Sequence, residues 1–122
     1  MSSPITAVGN VYNPKYISLY QIYNSSLGNT SNPTGSPLIN VSNYNTKSVF
    51  AFLHTTQNVS GSLVVSGSFD GTNTFLLRSG SFNSGSFIYF TFYDAVPWIS
   101  VWLNHSGSGL ANSGSLYLSG MI

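Results

Sequence analysis

The sequence predicts an all-β protein folded as a single antiparallel β-sandwich of about eight strands. Apolar residues alternate with Ser, Thr and Asn in short runs, and these runs recur at roughly ten-residue spacing. No window of helical length escapes Gly, Pro or clusters of Ser and Asn. The clearest run is Val59 to Asp70. Val59, Gly61, Leu63, Val65, Gly67 and Phe69 share one face, and Ser60, Ser62, Val64, Ser66, Ser68 and Asp70 share the other. That is the two-residue period of a strand with one side in a core and the other wetted by hydroxyls.

The remaining elements follow the same pattern. In chain order the candidates are Thr6 to Tyr12, Tyr16 to Tyr23, Leu38 to Ser42, Ser48 to Thr55, Thr74 to Ser81, Ser86 to Asp94, Trp98 to Asn104 and Ser115 to Ile122. Asp70-Gly71 is a tight-turn signal, so the flanking runs should form a hairpin. The segment from Asn24 to Pro37, NSSLGNTSNPTGSP, reads as a long charge-free surface loop or one ordered by contact with something else. Ser-Gly-Ser before Leu or Phe recurs at irregular spacing, which marks strand starts and bulges and not a solenoid. At 122 residues the chain makes one domain. We place the sandwich at 15–122 and an N-terminal arm or edge segment at 1–14.

Only Lys15, Lys47, Arg78, Asp70 and Asp94 carry a full charge, 4% of the chain, while hydrophobic residues make up 42%. A soluble domain is ordinarily about a quarter charged, so this surface must be hydrated by Ser, Thr, Asn, Gly and Tyr. Copies with a net charge of +1 hardly repel one another. Such a surface suits a subunit built to assemble. Acid unfolding works mainly through carboxylates, and two aspartates with no glutamate leave little to titrate besides His54 and His105. Stability should therefore change little as pH falls, which fits a harsh exterior.

Several function classes are expected to be absent. Three basic residues spread along the chain assemble no patch for nucleic acid, and the Gly-rich segments open no helix that could receive a phosphate. No stretch approaches a membrane span, and the start, MSSPITAVGNVYNP, has neither a basic nor an apolar signal region. There is no cysteine for a disulfide or thiolate site. Carboxylate-pair chemistry could use only Asp70 and Asp94, no nucleophile elbow surrounds any serine, and a zinc site from His54 and His105 would need an aspartate as its third ligand. The expectation is no enzyme activity, no catalytic residue, no metal and no cofactor. Asp70 to Asn73 reads as an Asx turn and not as a calcium loop.

The aromatic residues carry the sharper expectation. If Ile99, Val101 and Leu103 face a core, Trp98, Ser100 and Trp102 face outward, and Tyr89 and Tyr93, with Tyr16, Tyr20 and Tyr23, could widen that surface. Trp and Tyr serve protein interfaces and sugar platforms alike, so Trp98, Trp102, Tyr89 and Tyr93 are the candidate assembly or glycan-contact residues. Alternation leaves open the converse, in which the Trp side is core and Phe90 and Phe92 compete for the inside. Unguarded sheet edges in a chain so short of lysine must also be covered, either by residues 1–14 or by a neighbour's strand. Five Asn-X-Ser/Thr sequons occur, and Asn24 and Asn29 are the candidate N-glycosylation acceptors.

GSFDGTNTF at Gly67 to Phe75, VPWISVWLN at Val96 to Asn104 and GSLYLSG within Ser113 to Gly120 resemble the sandwiches of small structural proteins of tailed phages and archaeal viruses, of head-decoration, fibre or turret type. The same half is similar to discoidin-like carbohydrate-binding sandwiches, whose ligand loops do not map onto it. The composition is similar to that of exterior proteins from archaea of hot acidic springs and their viruses. The viral resemblance implies a jelly-roll-like topology and a structural subunit located in a virion or extracellularly. Its partners would be copies of itself or other virion proteins, with surface glycans as a further class. A filament subunit using a donated N-terminal strand and a carbohydrate-binding module are the alternatives.

Overall fold

The computed structural model describes residues 16–26, 34–54, 59–105 and 113–121. The expected arm at 1–14, the candidate strand from Thr6 to Tyr12 and Asn29 lie outside the described residues.

Among the described residues there are nine strands: β1 (Tyr16–Ser26), β2 (Thr34–Gly35), β3 (Ile39–Asn40), β4 (Thr46–Leu53), β5 (Ser60–Ser68), β6 (Thr74–Asn83), β7 (Phe87–Phe92), β8 (Trp98–His105) and β9 (Ser113–Met121). Their pairing is nested. β1 lies antiparallel to β9, β2 and β3 to β8, β4 to β7, and β5 to β6. The chain is thus one long antiparallel ribbon doubled back at the β5–β6 hairpin. Wrapping that ribbon brings β9 against β4 and β8 against β5. Two sheets result, ordered β1-β9-β4-β7 and β2-β8-β5-β6, with β3 also on β8. This winding is a jelly roll, the topology that the resemblance implied.

Strand alternation builds the core between the sheets. Val49, Ala51 and Leu53 from β4, Leu63 and Val65 from β5, Ile99, Val101 and Leu103 from β8, and Leu116 and Leu118 from β9 are all fully buried. Phe92 of β7 is also inside, while Phe90 is half-buried against the same cluster. Glycines fit where rings crowd the backbone: a Cβ at Gly61 would sit 3.0 Å from the Phe82 ring.

The stretch expected to be one loop from Asn24 to Pro37 is not uniform. β1 continues through Asn24 to Ser26, and β2 falls at Thr34–Gly35. Pro37 has no N–H for the ladder, and pairing with β8 is correspondingly split between β2 and β3. Ser36 carries the ladder across the gap. Its amide donates to the Val101 carbonyl at 2.9 Å, and its hydroxyl accepts from the Val101 amide at 3.0 Å. Tyr20 ties β1 to the same place through its hydroxyl, which donates to the Gly35 carbonyl at 3.1 Å.

Candidate functional site

Three connections meet at one end of the sandwich: residues 41–45 between β3 and β4, the hairpin turn at 69–73, and residues 93–97 between β7 and β8. Register puts them together, because Ser68 pairs with both Thr74 and Trp98, and the Val41 amide donates to the Pro97 carbonyl at 2.8 Å. All four charged residues among those described gather at or near this end. Arg78 and Asp94 form an ion pair at 2.9 Å. Lys47, only 2% exposed, donates from Nζ to the Asp94 carbonyl at 2.6 Å and to the Tyr44 carbonyl at 3.4 Å. Both cations lie over Phe92, with the Arg78 guanidinium 5.5 Å and the Lys47 ammonium 5.8 Å from the ring centre. Burial lowers the pKa of Lys47 below its ordinary value, and the nearby Asp94 charge opposes that shift. A cleft of about 190 Å³ beside Lys47 is lined by residues that include Tyr44, Asn45, Tyr93 and Val96.

The hairpin turn is built by Asp70. Its carboxylate accepts from the Thr72 and Asn73 amides at 2.8 Å each, from the Ser68 hydroxyl at 3.0 Å and from the Asn73 side-chain amide at 2.8 Å. These donors hold the Asp70 carboxyl well below the usual carboxylate range. Gly71 turns the chain at a φ of 80°, a conformation that suits glycine. The expected Asx turn and hairpin are both present.

The two sheets present different outer faces. On β4, inward Val49, Ala51 and Leu53 leave Ser48, Phe50 and Phe52 outward, and β9 and β7 alternate in step. Register sets Gln21, Tyr117, Phe50 and Tyr89 side by side across the four-stranded sheet. The neighbouring row brings Ser115 and Phe87 to either side of Phe52. Phe50 stacks on Phe87 at 5.6 Å, Phe87 on Tyr89 at 6.2 Å, and Tyr117 tilts against Phe50 at 5.8 Å. His54 receives Phe52 and Tyr23 edge-on at 4.8 Å and 5.7 Å. A third row, Ser18, Ser119, Ser48 and Thr91, carries hydroxyls alone.

The five-stranded sheet shows Ser62, Val64, Ser66 and Ser68 of β5 beside Asn104, Trp102, Ser100 and Trp98 of β8. The tryptophans do face away from the core, but they do not stand free. Both are half-buried. A Cβ at Gly35 would fall onto the Trp102 ring, so β2 covers that side chain. Gly71 of the hairpin turn lies against Trp98, with a Cβ there 3.3 Å from the indole. The four candidate contact residues therefore form no single surface. Trp98 and Trp102 lie on the five-stranded sheet, Tyr89 on the outer face of the four-stranded sheet, and Tyr93 at the cleft. Phe50, Phe52, Phe87 and Tyr117 were not singled out from the sequence, and His54 was weighed there only as a titrating group and a zinc ligand. The signal was the apolar outward positions of the run from Ser48 to Thr55, which alternation alone could not assign to a face.

His54 Nε2 and the Ser115 hydroxyl lie 2.6 Å apart, the spacing of a base and a nucleophile. Ser115, however, is only 2% exposed, and both aspartates lie at the other end of β4. Among the described residues no three His, Asp or Glu side chains converge as a metal site, and no helix is long and apolar enough to cross a membrane.

No family model matches the chain, and no curated protein does. Solved structures share its fold. The PBSX exported protein XepA superposes with a TM-score of 0.65 and 13% identity over 87% of this chain, which spans 36% of the length of that one. A chain of Bacillus endospore appendages, described as a novel family of disulfide-linked pili, superposes with a TM-score of 0.51 and 13% identity, covering 88% of this chain and 85% of that one. At these identities the likeness shows the fold alone: an antiparallel β-sandwich that also occurs in an exported protein and in a spore appendage.

Proposed function

We propose that the chain is a non-enzymatic structural subunit of a virus particle, as a capsid, decoration, turret or fibre protein. The observation that carries this reading is the distribution of charge. Neither outer sheet face bears a Lys, Arg or Asp among the described residues, and the charges collect at one end. A free monomer with two uncharged faces has only hydration to keep copies apart, whereas a lattice or fibre subunit needs faces of this kind. A fold shared with an exported protein is compatible with a component that works outside the cell, although fold by itself does not dictate function.

The second reading is a subunit of an extracellular filament, supported by the fold shared with the spore appendage chain. The two readings place the protein in a virion or outside the cell, and both make copies of itself its first partner. The test is electron microscopy of the purified, tag-free chain across a concentration series. Closed shells or short spikes favour the particle, helical polymers favour the filament, and isolated single domains at every concentration contradict both.

A further inference from the structure

We infer that the aromatic outer face of the β1-β9-β4-β7 sheet is the contact surface for a second copy of this chain, packed face to face about a two-fold axis. This rests on the structural reading above and names the surface and the occupant.

Area is the first argument. Tyr16 and Tyr23 are each 66% exposed, Phe87 57% and Tyr89 62%. At about 200 Å² for a whole aromatic side chain, these four alone present roughly 500 Å². The half-buried Phe50, Phe52 and Tyr117 and the hydroxyl row bring the face toward the roughly 800 Å² that each partner contributes to a stable interface. Tyr16 stands beyond the hydroxyl row, and the remaining rings form a patch of the size that on monomers is often functional.

Charge is the second argument. Among the described residues the face carries no Lys, Arg or Asp, so a strongly charged partner finds no complement there. An identical copy meets no repulsion, and the two-fold arrangement sets the same patch against itself.

Ring packing is the third argument and favours protein over sugar. A sugar stacks its C–H surface on an open ring face. Here Phe50 and Phe87 turn faces toward one another at 25°, as do Phe87 and Tyr89 at 22°, and Phe52 meets His54 edge-on at 62°. The rings thus form one contiguous packed cluster of Phe50, Phe87, Tyr89 and Tyr117 and not an isolated platform ring. A cluster of this kind offers ridges and gaps with which the side chains of a facing protein interdigitate. Ser48 and Thr91, whose hydroxyls lie 3.2 Å apart, add hydrogen-bonding capacity to the polar part of the face.

Because the chain has no cysteine, one introduced thiol reports contact cleanly. Tyr89→Cys should form a disulfide-linked dimer under mild oxidation, whereas Ser79→Cys, on the opposite sheet, should remain monomeric under the same conditions. Phe87→Ser with Tyr89→Ser should raise the dissociation constant at least roughly 100-fold, the effect of losing interface hot spots, while leaving the circular dichroism spectrum unchanged. Assembly of the wild type lost in this double variant supports the inference. If the double variant assembles like wild type, or Ser79→Cys cross-links and Tyr89→Cys does not, this face is not the contact and the structural reading survives. A wild type that stays monomeric overturns both.

Discussion

Gly35 stands where β2 passes over Trp102, and a single methyl there would collide with the indole and with the Val101 carbonyl. The collision is with a ring and a backbone atom, so no flexible side chain can yield. Gly35→Ala should therefore destabilise the fold by about 1–3 kcal/mol, as overpacking does, read as a lower urea midpoint with an unchanged slope. Asp70 has a different signature. Its native carboxyl titrates well below the ordinary 3.8 because the turn donates to its charged form, so its stabilisation is complete above the ordinary value and is lost as pH falls through the lowered one. Asp70→Asn should lie below wild type at neutral pH, with the two curves converging only in strong acid. A gap that instead closed near neutrality would contradict this. Lys47 runs the other way. Burial lowers its native pKa, so between that value and the ordinary one the unfolded chain binds more protons, and stability rises with pH there. In Lys47→Met that alkaline rise should be missing, as pH-dependent unfolding will show.

At the scale of elements, the strands with strong alternation were legible in the sequence. The run from Val59 to Asp70 is β5 and its turn, and Trp98 to Asn104 is β8 to within one residue, because both bury one face in the core. β2 was not legible. Two residues, Thr34 and Gly35, show no period, and their pairing with β8 is completed by a serine side chain standing in for a strand. The outward direction of Trp98 and Trp102 followed from Ile99, Val101 and Leu103, but their cover did not, since it comes from segments distant in the chain. The aromatic sheet face was hidden for the same reason. Phe50, Phe87 and Tyr117 become neighbours only through register across three strands, and Phe50 and Phe52 at alternate positions read equally well as core. Edge protection was also underestimated. On the edge strand β6, Arg78 pairs with Val65 of the core-facing row and is held by Asp94, an inward charge of the kind that discourages edge pairing.

Over the whole molecule, scarcity of charge becomes a matter of placement. The described charged residues share one end, leaving both sheet faces neutral, and the nested ribbon of a jelly roll exposes those faces as two broad surfaces. One is mostly hydroxyl with its tryptophans covered, and the other is aromatic with its rings packed on one another. Neutral faces lose little when buried against a like face, because no ion must be desolvated. Association should accordingly depend weakly on salt, since no exposed charge pair on these faces is there to be screened; a dissociation constant that rose steeply with ionic strength would point to the charged end instead. Light scattering of the purified, tag-free chain at micromolar concentration, at neutral and at acid pH, tests the central claim most directly. Discrete multimers at both pH values are the predicted result, and a stable monomer at both would contradict it.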